Sequence, residues 1–306
     1  MKRAIATRSG DRTVAEVLVR AGADDRAVED GRVFVGRRRV RRGDEAVREG
    51  DVVEIAPPRE PPEAARVIWL EDDVVAVDKP AGMPTIADHD GAAHALVAAT
   101  ARALGLDAGR LHPTSRLDRG VSGVVVFALT TAAAERLTRA RAAGTYERRY
   151  VAIASSAPAP PAPERGTWDA PIGRAQDPRL RMANGRDPAA AATRYRVCAL
   201  ATGGAALLAA SPVTGRTHQI RVHASHAGAP LLGDRDYGGP ARVTLSTGRV
   251  IEPRRVALHA ARVVIPAASG APLVAAAAVP AELEALWSAL GGEATAWELA
   301  TSCVLA

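Results

Sequence analysis

One carboxylate stands between two guanidinium groups in the segment 111–123, which reads Leu-His-Pro-Thr-Ser-Arg-Leu-Asp-Arg-Gly-Val-Ser-Gly. Asp118 follows Arg116 by two positions and directly precedes Arg119, and an apolar run begins at residue 124. An aspartate placed among cations on a loop is arranged for charge and not for packing. Taken alone, the same pattern is equally typical of a salt bridge in a surface turn.

A second charged segment, 215–223, reads Gly-Arg-Thr-His-Gln-Ile-Arg-Val-His. Its spacing predicts a helix over 217–227 with Thr217 as the N-cap and Arg221 one turn in. An aspartate that must stay ionised in a pocket without water needs an opposing cation, and the arginines of this segment are candidates.

Metal and nucleotide cofactors find little support in the sequence. His218, His223 and His226 lie close together, but residues 218 and 223 are five positions apart and do not share a helix face, so we expect no metal site. The glycines near these histidines form no phosphate-binding pattern between a strand and a helix. We therefore expect neither a metal nor a cofactor.

Further segments accompany these two in a fixed order. They are Val-Asp-Lys-Pro-Ala-Gly at 77–82, Tyr-Glu-Arg-Arg-Tyr-Val-Ala at 146–152, Gly-Asp-Arg-Asp-Tyr-Gly at 233–238 and Leu-His-Ala at 258–260. With this series, residues 66–290 resemble the RluA-type pseudouridine synthases. The resemblance implies isomerisation of uridine to pseudouridine in RNA, without a cofactor or a metal.

The resemblance also implies roles for single residues. Asp118 corresponds to the nucleophile, Tyr150 to the active-site tyrosine and Arg221 to the arginine that pairs with the aspartate. Arg116 resembles the arginine that fills the space left by the flipped base, and Arg148 stands where the family usually has lysine. We place Arg148, Thr217 and His218 with Arg116 among the residues that contact the substrate.

The chemistry of this reaction gives independent reasons to expect these residue types. The pocket must take a nucleotide out of its stack, and this unstacking costs a few kcal/mol that contacts to the flipped base must recover. The ring of Tyr150 offers a face for uracil, and its hydroxyl could take part in the loss of the proton on carbon five. A tyrosine in a core strand is the alternative reading of this residue.

The chain departs from the family pattern at three positions near Asp118. Ser115 stands where the family commonly has a histidine, and Gly120 and Val121 precede Ser122 where the family has an Asp-x-Thr-Ser-Gly-like sequence, so an imidazole and a hydroxyl are lost. A non-catalytic RNA-binding or ribosome-assembly factor is therefore an alternative, and hydrolysis of a nucleoside bond by the same carboxylate is another. Asp118, Tyr150 and Arg221 are all retained, so we expect an active enzyme.

Residues 11–56 resemble a small RNA-binding domain named after a ribosomal protein, and we assign residues 1–56 to this domain, which we call the S-four-like domain. The pattern Thr13-Val14-Ala15-Glu16 predicts a capping box that opens a helix over 13–21. A shorter helix over 25–30, two strands turning near Gly36 and a strand at 51–55 should follow. Five arginines lie near this turn, and we expect them to bind RNA phosphates, with a solvated hairpin as the alternative. They are Arg37, Arg38, Arg39, Arg41 and Arg42.

Four prolines within residues 57–62 mark a linker, which we place at 57–65, and the catalytic domain should extend over 66–290. Strand-like runs with inserted helices predict an α+β fold with a mixed, mainly antiparallel sheet, preceded by the small α/β domain. The region 155–164 should be a surface loop, and the tail 291–306 has no readable role.

Composition sets the remaining expectations. The formal net charge is +6, the pI is about 10.0, and arginine supplies 38 of the 40 basic residues because lysine occurs only at Lys2 and Lys79. This excess favours a polyanionic partner, although a GC-rich genome also enriches arginine and alanine. Four Trp, four Tyr and two Phe are too few for a sheet that stacks successive bases.

The resemblance to the synthases implies an RNA partner, and the S-four-like domain, which usually accompanies ribosomal substrates, implies ribosomal RNA more than transfer RNA. We also expect a monomer. The sequence has no apolar run long enough to span a membrane and no apolar core of a signal peptide after Met1, so we expect no membrane partner. Cys198 and Cys303 form no disulfide pattern, which favours the reducing cytoplasm.

Overall fold

The computed structural model describes residues 3–23, 26–29, 31–36, 38–56, 65–87, 94–156 and 163–305. The chain divides into two compact units, one formed by Met1–Ala64 with Met83–Ala108 and the other by Ala65–Gly82 with Gly109–Ala306. Arg37 and the linker, apart from Ala65, lie outside the described residues, as does most of the predicted loop 155–164.

The described residues of the first unit form a small antiparallel sheet and three helices. Its elements are β1 (Arg3–Ala6), α1 (Val14–Arg20), α2 (Arg26–Glu29), β2 (Val33–Val35), β3 (Arg38–Arg39), β4 (Val52–Ile55) and α3 (Leu96–Leu104). The strand order is β1-β4-β2-β3. The predicted capping box is confirmed, because the Glu16 N–H donates to the Thr13 hydroxyl and the Glu16 carboxylate accepts the Thr13 N–H. Apolar residues of α1 then pack with those of β2 and β4 into one core.

Several arginines of the β2–β3 hairpin region have partners within this unit. Arg38 pairs with Glu45, Arg42 pairs with Asp44, and the Arg39 guanidinium lies over the Phe34 ring at 5.3 Å from its centre. The residues after Arg39 thus carry acids that offset part of the cluster's charge. The predicted contact of this cluster with RNA stays a prediction.

The stretch Met83–Ala108 belongs to the first unit, whereas the sequence placed it in the segment 66–290. It is closed by its own hydrogen bonds, in which the N–H groups of Leu96 and Val97 donate to the carbonyls of Pro84 and Thr85 at 2.8 and 3.1 Å. These hydrogen bonds close the stretch on itself before the chain reaches the segment that contains Asp118.

The second unit is organised around a mixed sheet. Its strands are β5 (Arg66–Glu71), β6 (Val74–Lys79), β7 (His112–Pro113), β8 (Ser122–Ala128), β9 (Glu147–Ser155), β10 (Arg165–Trp168), β11 (Ile172–Arg174), β12 (Arg181–Ala183), β13 (Arg186–Ala189), β14 (Thr193–Ala201), β15 (Ala205–Pro212), β16 (Val243–Thr244), β17 (Val250–Ile251), β18 (Leu258–Ile265) and β19 (Leu273–Ala276). The helices are α4 (Thr131–Ala142), α5 (Gln219–His226), α6 (Ala281–Ala289) and α7 (Ala296–Ser302), and short 3-10 turns lie at Ala108–Arg110 and Arg235–Tyr237.

The main sheet has the order β10-β14-β15-β9-β18-β8-β6-β5, with β19 beside β18 and β7 beside β8. Among the described residues its pairs are antiparallel except for β8 with β18. This confirms the predicted α+β class with a mixed, mainly antiparallel sheet. Two smaller sheets, β12-β11-β13 and β16-β17, complete the unit.

The parallel pair depends on glycine at residue 123. Gly123 has φ of +113°, and a Cβ there would overlap the backbone of Ala260 in β18. Only glycine allows the two strands to approach this closely in that conformation. The pair holds β18 beside the strand that begins four residues after Asp118.

Helices cover the sheet through two separate apolar clusters. Residues of α4 pack with strands β6, β8 and β18, and residues of α6 and α7 pack with β9 and β15. The helix α7 lies in the tail for which the sequence indicated no role. Its Trp297 ring meets the Trp287 ring edge-on at 6.4 Å between centres, so the tail is part of the core. In the described parts of the chain, every helix is too short or too polar to cross a membrane.

Replacing Trp297 by alanine should lower the free energy of unfolding by about 3 kcal/mol, because it removes a buried ring from a packed cluster. Trp297 is 7% exposed, whereas Leu299 on the same helix is 42% exposed. The matched Leu299→Ala variant should change this free energy by less than about 0.5 kcal/mol. Urea unfolding followed by circular dichroism measures both. Equal effects of the two substitutions would show that α7 is not packed on the core.

Candidate active site

Asp118 lies in a tight turn whose backbone is held from several directions. The Val121 N–H donates to the Asp118 carbonyl at 3.0 Å, which closes the turn before β8. The Arg119 carbonyl accepts hydrogen bonds from the Gly82 N–H at 2.7 Å and from Lys79 Nζ at 3.3 Å. The backbone around Asp118 is therefore fixed, and the Asp118 side chain is 26% exposed.

The Arg221 guanidinium faces that carboxylate. Its Nη1 donates to Asp118 Oδ2 at 3.0 Å, and its Nε and Nη2 donate to the two oxygens of Asp234 at 2.8 and 2.7 Å. Its Nη2 also donates to Asp236 Oδ2 at 2.7 Å. Arg221 therefore connects three carboxylates, and the buried, bidentate pair with Asp234 fixes its orientation.

Electrostatics keep Arg221 charged in this position. Burial alone would lower the pKa of Arg221, but the hydrogen bonds and charge of Asp234, followed by the charge of Asp118, outweigh burial and raise the pKa. Arg221 is therefore a permanent cation beside Asp118.

Tyr237 and His218 form the other side of the same cluster. The Arg221 guanidinium carbon lies 4.8 Å from the centre of the Tyr237 ring, and the Tyr237 hydroxyl is 2.7 Å from His218 Nδ1. Because the Tyr237 oxygen accepts the Arg181 N–H at 3.1 Å, its own hydrogen is available to His218 Nδ1. Burial lowers the pKa of His218, so the neutral ring with Nδ1 as acceptor fits this arrangement. Its Nε2 is then 3.8 Å from Asp118 Oδ1.

Tyr150 is buried in the centre of the main sheet, on β9 between Ala210 of β15 and Ala260 of β18. Burial is the main cause that raises the pKa of Tyr150, and the charge of Asp118 adds to the rise. The phenol is therefore protonated at neutral pH, and it lies within the electrostatic range of Asp118.

The structure thus brings together Asp118, Arg221 and His218 and places Tyr150 nearby. Arg116 is exposed on the loop that carries Asp118. Arg148 is buried, and its Nη2 donates to the carbonyls of Pro212 and Thr214 at 2.8 and 2.7 Å. That contact ties β9 to the segment that leads into α5.

The prediction that Thr217 caps α5 is wrong. The N-cap is His218, which has a left-handed backbone with φ of +59° and makes no side-chain cap. Gln219 supplies the missing contacts, because its Oε1 accepts the Arg216 N–H at 2.9 Å and the Thr214 hydroxyl at 2.7 Å. The left-handed turn at residue 218 brings the imidazole to Tyr237, which a regular cap at Thr217 would not do.

Sequence reasoning assigned no role to several residues that build this site. Asp234 and Tyr237 lie in the segment 233–238, which was noted only for its place in the order of motifs. Lys79 is fully buried, and burial lowers its pKa to about 7, although the charge of Asp118 opposes the change. The signal for Lys79 was in the sequence, since it is the lone lysine after residue 2.

Arg255 is another residue of this site to which the sequence assigned no role. Its Nη1 donates to the carbonyls of Gly120, Val256 and Leu258 at 3.3, 3.1 and 3.0 Å, and its Nε pairs with Glu282 at 2.6 Å. One side chain therefore joins the Asp118 turn to the start of β18 and to α6.

The same arginine begins a buried hydrogen-bond chain. Arg255 Nη2 donates to the Ser122 hydroxyl at 3.0 Å, and that hydroxyl is 2.9 Å from His259 Nδ1. His259 Nε2 is 3.3 Å from the Ala277 carbonyl, which can only accept. His259 therefore carries its proton on Nε2 and accepts the Ser122 hydrogen on Nδ1.

The positions that depart from the family pattern lie around this chain. Val121 is buried, and a Cβ at Gly120 would come within 3.3 Å of Val256 Cγ1. The site thus has an apolar contact next to the turn where the family pattern has polar groups. Asp118 and Arg221 still meet.

Two of the histidines near α5, His218 and His223, are hydrogen-bonded to protein groups. His223 Nδ1 is 2.8 Å from the Thr193 hydroxyl, and its Nε2 is 2.9 Å from the Ala170 carbonyl. Within the described ranges, no group of three or more His, Cys, Asp or Glu side chains is arranged to hold a metal ion.

Comparison with known proteins gives the same family as the sequence motifs. Residues 73–226 match the family model described as RNA pseudouridylate synthase. Over 240 residues the chain is 37% identical to the ribosomal large subunit pseudouridine synthase D of Xanthomonas campestris pv. campestris, a match that covers 73% of this chain and 69% of that protein. It is 41% identical over 138 residues to the chloroplastic RNA pseudouridine synthase 2 of Arabidopsis thaliana, with 43% of this chain and 31% of that protein covered.

Solved structures show the same fold. Human RNA Pseudouridylate Synthase Domain Containing 4 superposes with a TM-score of 0.58 and 24% identity, over 74% of this chain and 92% of that one. Human RNA Pseudouridylate Synthase Domain Containing 1 superposes with a TM-score of 0.57 and 24% identity, over 76% of this chain and 90% of that one.

Asp234 and Asp236, which both bind Arg221, should differ in their contribution to stability. The Asp234 side chain is 1% exposed and that of Asp236 is 54% exposed. Asp234→Asn should lower the free energy of unfolding by about 3 kcal/mol, because it breaks a buried pair from one side. Asp236→Asn should lower it by less than about 1 kcal/mol. Chemical denaturation measures the two variants, and equal losses would contradict a buried anchor at Asp234.

Acid should destabilise the protein through His259. Burial lowers the pKa of His259 to about 4, below the 6.5 of a free imidazole, so the unfolded chain binds this proton first as the pH falls. Stability is therefore fully present above about pH 6.5 and is lost between about pH 6.5 and 4, at up to about 1.4 kcal/mol per pH unit. His259→Asn should reduce the pH slope of the unfolding free energy in this window by about one proton. A variant with the slope of the unmodified protein would refute this assignment.

Proposed function

Because this chain belongs to the RNA pseudouridylate synthase family, whose members are isomerases acting on RNA, we propose that it isomerises a uridine of structured ribosomal RNA with Asp118 as the nucleophile. The observation that supports this role is the Asp118 carboxylate 3.0 Å from the Arg221 guanidinium, on a turn with a fixed backbone. A partly exposed carboxylate with a permanent cation at one oxygen can approach a sugar or a base and then leave it.

The reaction conserves every atom of the nucleotide. The bond from N1 of uracil to C1′ of the ribose breaks, the base turns, and C5 bonds to C1′ while C5 loses a proton and N1 gains one. Asp118 bonds to the sugar or to the base between the two steps and is released at the end. Arg221 compensates the carboxylate's charge before the attack and after the release, in a site with restricted access to water.

We propose that the target nucleotide is flipped out of its stack to reach Asp118. Unstacking costs a few kcal/mol, which contacts inside the site must return. Arg116, exposed two residues before Asp118, is the residue proposed to occupy the vacated space, and the ring of the buried Tyr150 is proposed to support uracil. Because burial raises the pKa of Tyr150, the phenol offers a hydrogen-bond donor at neutral pH and not a ready base.

The preference for ribosomal RNA is part of the proposal and has two supports. Relatives in Xanthomonas campestris and Nitrosomonas europaea carry the name ribosomal large subunit pseudouridine synthase D. The first unit also has the helix, helix, hairpin and strand order expected of an S-four-like RNA-binding domain, with exposed arginines at 38, 41 and 42. Mapping pseudouridines in total RNA from strains with and without the gene tests this preference. Loss of a site in transfer RNA alone would overturn it.

Asp118→Asn should reduce isomerisation by at least about a thousandfold while folding and RNA binding persist, since the amide has the same size but is no nucleophile. Release of tritium from carbon five of labelled uridine measures the reaction. Asp169, which is exposed, provides the matched control, and Asp169→Asn should retain full activity.

Two results would contradict the proposal in different ways. Activity of Asp118→Asn within tenfold of the unmodified protein would exclude Asp118 as the nucleophile. RNA that loses the mass of uracil on treatment would indicate hydrolysis, because isomerisation leaves the mass unchanged.

A further inference from the structure

A row of three arginines crosses the small sheet of β11, β12 and β13. Arg174 of β11 is paired in register with Arg181 of β12 on one side and with Arg186 of β13 on the other. Residues directly opposite each other in antiparallel strands project from the same face. The three side chains, which we call the arginine row, therefore lie side by side.

Such a row is unfavourable in the absence of an anion, because like charges directly opposite each other destabilise a sheet. Across the described segments, neither Arg174 nor Arg186 forms an ion pair with an acidic side chain. Arg181 Nη1 donates to the carbonyls of Pro178 and Leu180 at 2.9 and 2.7 Å, which leaves its charge uncompensated. Nearby Arg179, by contrast, pairs with Asp177 at 2.6 Å. The row thus concentrates positive charge that its own sheet does not neutralise.

The arginine row is attached to the active site. Ile172, two residues before Arg174 on β11, packs with Val222 of α5 and with Tyr237. The Arg181 N–H donates to the Tyr237 hydroxyl at 3.1 Å, and Tyr237 stacks on Arg221. Strand β11 therefore packs through Ile172 against the neighbours of Arg221 and, two residues later, contributes Arg174 to the arginine row.

The row also borders an open cleft of about 720 Å³. Its lining combines two guanidiniums and two amides with small or flexible groups, from Arg174, Gln176, Met182, Asn184, Gly185 and Arg186. Guanidiniums bind phosphate oxygens through paired N–H groups, and amides can bond sugar hydroxyls and base edges. This set of groups suits a nucleic-acid backbone.

We infer that the arginine row binds the phosphates of the RNA strand next to the uridine presented to Asp118. This inference rests on the proposed function, since it assigns the surface that holds the same substrate outside the catalytic centre. The contact is with the backbone, so it orients the strand and adds affinity without selecting a base.

The test uses the full chain with Arg174→Gln and Arg186→Gln combined. Arg249→Gln with Arg254→Gln is the matched control, because it removes the same charge from two exposed arginines on either side of β17. Arg174→Lys with Arg186→Lys keeps the charge and shows whether the sheet tolerates substitution. Apparent KM, kcat and the Kd of the same RNA are measured over a series of KCl concentrations.

The Gln pair should raise KM and Kd about tenfold at moderate salt and leave kcat within twofold of the unmodified protein. Two lost phosphate contacts should reduce the salt slope of log Kd by about 1.4 to 1.8, at 0.7 to 0.9 for each contact. The control pair should leave the slope unchanged, and the Lys pair should retain most of it.

An unchanged salt slope in the Gln pair would overturn the inference, as would an equal loss in the control pair. A fall of kcat with an unchanged slope would also overturn it, because the row would then support the catalytic groups and not the RNA backbone. Failure of the unmodified protein to isomerise uridine would refute the proposed function, and the Kd slopes of the three variants would still decide the arginine row.

Discussion

Arg221 is the side chain on which the geometry of the active site depends. Its guanidinium reaches Asp118 through one nitrogen and is held by Asp234 through two others. A long side chain free in solution would lose rotamer entropy on pairing with Asp118, but Asp234 and the Tyr237 ring have already fixed it. The ion pair at the Asp118 carboxylate is therefore held in place by residues that do not contact that carboxylate.

A second arginine, Arg255, fixes the backbone of the Asp118 turn, as Arg221 fixes the position of the Asp118 carboxylate. Arg255 bonds the Gly120 carbonyl inside the Asp118 turn and two carbonyls at the start of β18, and Lys79 bonds the Arg119 carbonyl from β6. Both cations donate to backbone carbonyls of the turn, and Arg255 is in addition paired with the Glu282 carboxylate at 2.6 Å. Together the two residues fix the turn to neighbouring strands of the main sheet.

Sequence reasoning reached the features that reside in local patterns or in the resemblance. The capping box at Thr13 and the class of the main sheet follow from spacing and element order, and the pairing of Asp118 with Arg221 follows from the resemblance and from the need of an ionised aspartate for a cation. The cap at Thr217 failed because the left-handed turn at His218 is imposed by a tertiary bond to Tyr237. Arg255 and α7 escaped notice for a related reason, since their partners lie far away in the chain and single-sequence patterns carry no information on such contacts.

Charge around the site then determines how a polyanion can approach it. Asp118, Asp234 and Asp236 surround one guanidinium, so the immediate cluster is negative overall. Such a cluster repels phosphates at short range, and only a neutral base and its sugar can enter without electrostatic cost. The phosphates must then be held beside the cluster and not in it, which is where the exposed Arg116 and the face of β11–β13 carry their positive charge. In the proposed reaction, this separation of a negative centre from a positive surround admits the nucleoside to the Asp118 carboxylate and keeps the backbone outside.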